Sequence, residues 1–148
     1  MTLQGAGDNK AVIKHAIFSA NGYLVLSLLA KRSVMHVYGI KNCNTVKKAL
    51  TWLDENDISY TFHDFKKEGV SEVKLRAWED QIGWEPLVNK RGTTWRQLSP
   101  AEQTAVTDSI SANALMQAKT SVIKRPVIES SAGIIVGFDE SEYKSKLK

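Results

Sequence analysis

The pattern of apolar and polar positions changes twice between residues 35 and 65. A short β-type run at residues 36–38 ends at Gly39. Four apolar side chains then recur at i, i+3, i+4 and i+7, namely Val46, Ala49, Leu50 and Leu53. This spacing predicts a helix with one buried face. Residues 59–65 alternate again, with aromatic side chains on both faces. The stretch therefore predicts a β–α–β unit with parallel strands that are covered on two faces.

The middle of the chain predicts helices. Residues 71–82 have apolar side chains at helical spacing, and Gly83 stops the pattern. Ser99 and Glu102 form a capping box with a proline between them, which predicts another helix start. We expect Val106 and Ile110 to lie on one face of that helix.

The last part of the chain predicts two antiparallel strands and a closing helix. Residues 122–128 are of β type and are split by Pro126. Residues 130–133 read as a hairpin turn into a second short strand at residues 134–136. A helix then begins near Asp139 and ends in lysines.

The single cysteine, Cys43, stands where the first predicted strand gives way to the first predicted helix. The first N–H groups of a helix lack intrahelical partners, and the macrodipole places about half a positive charge there. A cysteine in that position can have a pKa of ~3.5–7.5 instead of ~8.5. Lys41 adds positive charge nearby, against the macrodipole preference, and such broken local rules are typical of functional sites. The alternative is a buried, unreactive thiol with solvated lysines around it.

Composition narrows the possible chemistry. A chain of 148 residues with 43% apolar content is one domain with a real core. One cysteine excludes an intramolecular disulfide and a Cys-x-x-Cys pair, and it suits a reducing, cytoplasmic compartment. Three scattered histidines and one cysteine give no metal site.

The net charge of +4 is concentrated in the first 34 residues, which carry a net +3. The remaining residues carry only +1, whereas a domain that grips nucleic acid keeps its charge in the folded part. The apolar run at residues 23–30 is too short to cross a membrane. We expect residues 1–34 to be a poorly ordered or non-essential extension; a membrane-surface or targeting role is the weaker alternative.

Four motifs occur in a characteristic order: YGIKNC at residues 38–43, WEPLVN at 84–89, RGTTWR at 91–96 and IKRP at 123–126. Together they resemble the ArsC/Spx family, and within it the YffB-type branch. The resemblance covers roughly residues 35–147, and we expect residues 35–148 to form one domain. It implies an α/β, thioredoxin-like βαβ…ββα mixed sheet with a helical insertion between the halves, and a cis bond before Pro126.

The resemblance also implies a site. Cys43 matches the family's nucleophile, and Arg125 matches an arginine that holds the oxyanion in arsenate reductases. A second family arginine aligns with Asn89, for which Arg91 is a possible substitute. A third falls at Gly137 and is missing, which disfavours arsenate reduction. Lys41 is a further candidate for stabilising the thiolate or a bound anion. Asn42 and Asn89 are secondary candidates for the site.

These expectations lead to a glutathione-linked thiol reductase that works through a mixed disulfide at Cys43. Glutathione is the expected co-substrate, with no bound cofactor, and a glutaredoxin-like protein is a possible partner. Arsenate is the second substrate candidate. A non-enzymatic, Spx-like regulator that binds RNA polymerase is the alternative class. Nucleic-acid binding through residues 90–96 is the least favoured, and we expect neither nucleic acid nor membrane as a partner.

Overall fold

A computed structural model describes residues Val34–Lys148. The expected extension at residues 1–34 therefore lies outside the described residues, except for Val34. Within the described part, no helix is long and apolar enough to cross a membrane.

The described residues form a short four-stranded sheet and seven α-helices. The strands are β1 (Met35–Gly39), β2 (Tyr60–Asp64), β3 (Val127–Ser130) and β4 (Gly133–Val136). The helices are α1 (Asn44–Glu55), α2 (Phe65–Glu68), α3 (Glu72–Ile82), α4 (Thr93–Arg96), α5 (Pro100–Thr104), α6 (Ser109–Ala118) and α7 (Glu140–Leu147). Single 3-10 turns lie at Glu85–Leu87 and Thr120–Val122.

The sheet is mixed, with strand order β2-β1-β3-β4. β1 and β2 run parallel, as the β–α–β pattern predicts, with Val37 opposite Phe62. β3 is antiparallel to β1, and β3 and β4 form the predicted hairpin. The two halves of the sheet are joined by the helices between β2 and β3. This is the predicted mixed sheet with a helical insertion.

Side chains alternate across the sheet and pack against helices on both faces. On one face Val37, Ile128 and Ile135 pack with α1 and with the buried Tyr143 of α7. On the other face Tyr38 and Val127 pack with α3 and α6. The strands are therefore covered on both sides, which explains why their apolar residues do not follow a one-sided alternation.

Two local predictions are wrong. The predicted strand at residues 59–65 ends at Asp64, whose carboxylate accepts a hydrogen bond from the N–H of Lys66 at 2.9 Å and caps the one-turn helix α2. The helix that starts at Ser99 ends at Thr104 rather than continuing to Ile110. Asp108 starts a separate helix, α6, by forming a capping box of its own with Ser111. Ile110 is 73% exposed and forms no shared face with Val106.

Candidate active site

A close approach between β1 and α1 determines where the cysteine lies. A Cβ added to Gly39, the last residue of β1, would lie 2.8 Å from Cγ2 of Val46 in the first turn of α1. Glycine at this position therefore lets the helix pack directly on the strand end. The connecting turn is closed by the N–H of Cys43, which donates to the Ile40 carbonyl at 3.0 Å.

Cys43 is the N-cap residue of α1, with extended backbone angles of φ −85° and ψ 125°. An N-cap side chain faces the free N–H groups of the second and third helical residues, here Thr45 and Val46. The first turn of α1 contains no acidic residue that would compete for these groups. The thiol thus belongs to the N-cap residue, although its geometry does not make a full capping hydrogen bond.

The surroundings of Cys43 favour its thiolate. Partial burial raises the pKa of the thiol, but the N–H groups of Val46 and Thr45 and the Arg125 guanidinium lower it by more. The pKa of Cys43 therefore lies below its ordinary value. Lys41 is exposed and lines a cavity together with Cys43, so its role beside the thiol stays a prediction.

Arg125 is held in place by the backbone that precedes it. Its Nη1 donates to the carbonyl of Ser121 at 2.6 Å and to that of Ile123 at 3.2 Å. Its Nε is buried and has no hydrogen-bond partner among the described residues. The Arg125–Pro126 bond is cis, as the motif implied. A guanidinium that is fixed in place and lines a cavity together with a thiol is suited to bind an anion.

Cys43 and Arg125 together form a wall between two cavities. The Lys41 cavity, of about 370 Å³, is lined also by Lys41, Asn42 and Lys66. The Lys124 cavity, of about 260 Å³, is lined also by Thr45, Asn89, Lys124, Gly137 and Phe138. A molecule bound in either cavity can therefore reach the thiol.

The structure brings most of the predicted site residues together, but not Arg91. Asn89 lines the Lys124 cavity, whereas Arg91 lines a neighbouring one of about 490 Å³, the Arg91 cavity. The reason is a turn after Asn89, closed by the N–H of Gly92 donating to the Asn89 carbonyl at 3.1 Å, which carries Arg91 away from the thiol. Arg91 therefore lines neither of the two cavities that Cys43 lines.

Sequence reasoning missed Lys124. This residue lines both the Lys124 cavity and the Arg91 cavity. Its neighbour in the cavity is Gly137, where the family's third arginine would fall. Lys124 is part of the IKRP motif, so the sequence drew attention to it. The motif does not indicate whether its side chain faces the cavity beside Cys43.

In the basic and aromatic stretch at residues 90–96, a lysine packs over aromatic rings of the same region. Nζ of Lys90 lies 5.7 Å from the ring centre of Trp84 and 5.6 Å from that of Trp95. Both rings also pack against the core. These aromatic faces are therefore occupied by a lysine, which weakens the case for base stacking.

The described histidines form a structural pair away from the thiol. His63 is hydrogen-bonded to His36 and to Glu68, each at 2.9 Å, and stacks on Tyr38. Among the residues that the structure describes, no group of three or more His, Cys, Asp or Glu side chains could hold a metal ion.

Residues 38–145 match the family model of the ArsC family. An uncharacterised protein of Haemophilus influenzae is 42% identical over 109 residues, which cover 74% of this chain and 95% of that protein. A global transcriptional regulator Spx of Listeria monocytogenes is 28% identical over 110 residues, covering 72% of this chain and 81% of the regulator.

Solved structures agree with the sequence comparison. A protein named YffB has 43% identity and a TM-score of 0.73, and the match covers 78% of this chain and 100% of that one. An arsenate reductase (ArsC) related protein from Brucella melitensis has 42% identity and a TM-score of 0.62, covering 78% and 96%. An arsenate reductase from Vibrio cholerae, at 15% identity and a TM-score of 0.60, shares the fold.

Proposed function

The chain belongs to the ArsC family, and from this premise we propose that it is a glutathione-linked thiol reductase with Cys43 as its nucleophile. The observation that carries the proposal is the position of Cys43 at the N-cap of α1 beside Arg125, where the pKa of the thiol is lowered. A thiolate, rather than a thiol, attacks disulfides and other electrophilic sulfur.

The proposed cycle has two exchange steps. The Cys43 thiolate attacks one sulfur of a disulfide; the new bond joins Sγ to that sulfur, and the other sulfur leaves as a thiolate that takes a proton from solvent. An external thiolate then attacks the mixed disulfide and releases Cys43 as a thiolate. A second external thiol then reacts with the disulfide released in that step. In total, one disulfide is reduced to two thiols, and two external thiols are oxidised to a new disulfide.

Glutathione fits the second step for two reasons. The sequence contains no other cysteine, so the resolving thiol comes from another molecule. The cavities on both sides of Cys43 carry basic side chains, among them Arg125, Lys66 and Lys124, which suit the carboxylates of a small acidic thiol. A glutaredoxin-like protein is the other possible donor of that thiol.

Arsenate is the less favoured substrate. In the family, three arginines meet the oxyanion, whereas this chain has Arg125 near the thiol, Asn89 at the second position and Gly137 at the third. Arg91 lines a cavity that Cys43 does not line. A tetrahedral oxyanion would therefore find fewer of the bidentate partners on which its binding depends.

A regulator that binds RNA polymerase remains the second candidate, because the Listeria relative at 28% identity carries the name Spx. In that case Cys43 would be dispensable. A pull-down from cell extract with the unaltered protein and with Cys43→Ser separates the two roles. Recovery of RNA polymerase by both proteins supports the regulator.

The reductase is tested by following reduction of glutathionylated substrates, with glutathione as the external thiol and a coupled assay of oxidised glutathione. Cys43→Ser should lower turnover to the uncatalysed rate while leaving the folded structure intact by circular dichroism. Turnover that survives the substitution would remove Cys43 from the mechanism and the proposal with it.

A further inference from the structure

The Lys124 cavity and the Arg91 cavity adjoin each other. Asn89 and Lys124 line both, so the two spaces lead from the thiol of Cys43 towards Arg91. We refer to them together as the cationic groove. Backbone hydrogen bonds fix its walls, since the N–H of Asn89 donates to the Val122 carbonyl at 2.8 Å and the N–H of Lys124 to the Leu87 carbonyl at 2.7 Å.

The groove carries an excess of positive charge. Four basic side chains line it, against the one carboxylate of Glu85: Lys90, Arg91, Lys124 and Arg125. Lys90 is engaged with two tryptophan rings. Lys124 and Arg91 form no salt bridge with any residue that the structure describes. Their charges are thus available to an anionic ligand.

The side chain of Lys124 packs beside Gly137. A Cβ added to Gly137 would be 3.4 Å from Cε of Lys124, and the φ of +86° at Gly137 is one that other residues rarely adopt. The lysine side chain therefore lies within van der Waals contact of the place where a residue-137 side chain would begin, and both residues line the cavity beside Cys43. Compared with the family arginine expected at position 137, Lys124 supplies its positive charge as a single ammonium instead of a planar fork.

We propose that Lys124 is a specificity-determining residue that binds a carboxylate of an acidic disulfide substrate, with Arg91 binding a second carboxylate farther along the cationic groove. This inference rests on the proposed thiol exchange at Cys43 and adds the residues that select an acidic substrate. An ammonium and a guanidinium spaced along a groove suit an extended molecule with separated carboxylates. They suit a compact oxyanion less well, because Arg125 is the one guanidinium of the described residues that lines a cavity together with Cys43.

The test compares two disulfides that differ in charge. Cys43 is exposed to oxidised glutathione, which carries four carboxylates, and to uncharged 2-hydroxyethyl disulfide, and mixed-disulfide formation is timed by intact mass. The full chain is used unaltered and as Lys124→Gln, Lys124→Arg and Arg91→Gln. Lys48→Gln serves as the matched control, since it removes one positive charge from an exposed residue of α1 outside the groove.

Lys124→Gln should slow the reaction with oxidised glutathione by about fivefold, the factor for one charge pair in a partly exposed site. The reaction with the uncharged disulfide should change by less than about twofold, and Lys124→Arg should restore the rate. Arg91→Gln should show the same selectivity with a smaller loss, and salt should reduce the difference between the two disulfides.

Equal slowing with both disulfides would place Lys124 in thiol activation and overturn the proposed specificity. The same rates in Lys124→Gln and Lys48→Gln would overturn it as well. If neither disulfide modifies Cys43 in the unaltered protein, thiol exchange itself fails, and the substrate assignment falls with it. The uncharged disulfide thus separates a failure of the groove from a failure of the chemistry.

Discussion

Arg125 lies beside Cys43 and lowers the pKa of its thiol by hydrogen bonding and by charge, while its own position is fixed by the carbonyls of Ser121 and Ile123. The two residues come from opposite ends of the domain's sequence. The pairing of β1 with β3 brings the two segments together, since Cys43 follows β1 and Arg125 precedes β3. The lowered pKa of Cys43 is thus a property of the whole fold and not only of the α1 N-terminus.

Replacing Arg125 by glutamine should raise the pKa of Cys43, because one of the groups that stabilise the thiolate loses its charge. Mixed-disulfide formation at neutral pH should slow by about tenfold or more, since hydrogen bonds to charged groups contribute ~1.5–3 kcal/mol. The measurement is the rate of glutathione adduct formation by intact mass. Arg96→Gln is the matched control, because Arg96 is exposed and lines neither cavity beside the thiol. Equal effects of the two substitutions would contradict the role of Arg125.

Replacing Gly39 by alanine should destabilise the protein by about 1–3 kcal/mol, the usual cost of overpacking. The added Cβ would lie 2.8 Å and 3.3 Å from the two methyl groups of Val46. Urea unfolding gives the change in the free energy of unfolding. In the double variant Gly39→Ala, Val46→Ala, the combined loss should be smaller than the sum of the single losses, because the clash is removed. Additive losses would show that the two residues are not coupled.

Glu129 should stabilise the fold only above acidic pH. Burial raises the pKa of its carboxyl, but Lys74 at 2.9 Å and Trp78 at 2.7 Å lower it by more, so the net pKa lies below the ordinary value. A lowered folded-state pKa means that the stabilisation is present above the ordinary carboxyl pKa of ~4.3 and is lost as pH falls through the folded-state value.

The variant Glu129→Gln should therefore lose about 1 kcal/mol at pH 7, a low value for a charged hydrogen bond because solvent reaches the pair. The difference between it and the unaltered protein should shrink as pH falls below the ordinary carboxyl value. Thermal unfolding at several pH values measures both effects. A difference that stays constant down to low pH would show that packing, and not the charge of Glu129, is responsible.

Periodicity predicted the parts of the fold that depend on local pattern. The β–α–β unit, the place of Cys43 between a strand and a helix, and the β3–β4 hairpin all follow from residue spacing and turn residues. The break between α5 and α6 did not, because Val106 and Ile110 have the spacing of one helical face. A stronger local signal, the capping box at Asp108, overrides that spacing.

The site was predictable only where a motif names the residue. Cys43, Arg125 and Pro126 follow from motifs. In the structure, Cys43 and Arg125 line the same two cavities. Arg91 is two residues from the aligned position, and sequence alone does not show that a turn carries it into the next cavity. Lys124 could not be placed either, because its position beside Gly137 depends on how two separate segments pack.

The most direct test of a working thiolate is the pH dependence of Cys43 alkylation, read by intact mass on the full chain. Because Cys43 is the protein's only cysteine, the profile reports one group. We expect alkylation to follow an apparent pKa clearly below the ~8.5 of a free cysteine, and this pKa should rise in Arg125→Gln. An apparent pKa at or above ~8.5 that the substitution leaves unchanged would contradict a working thiolate and leave Cys43 as an unreactive, partly buried residue.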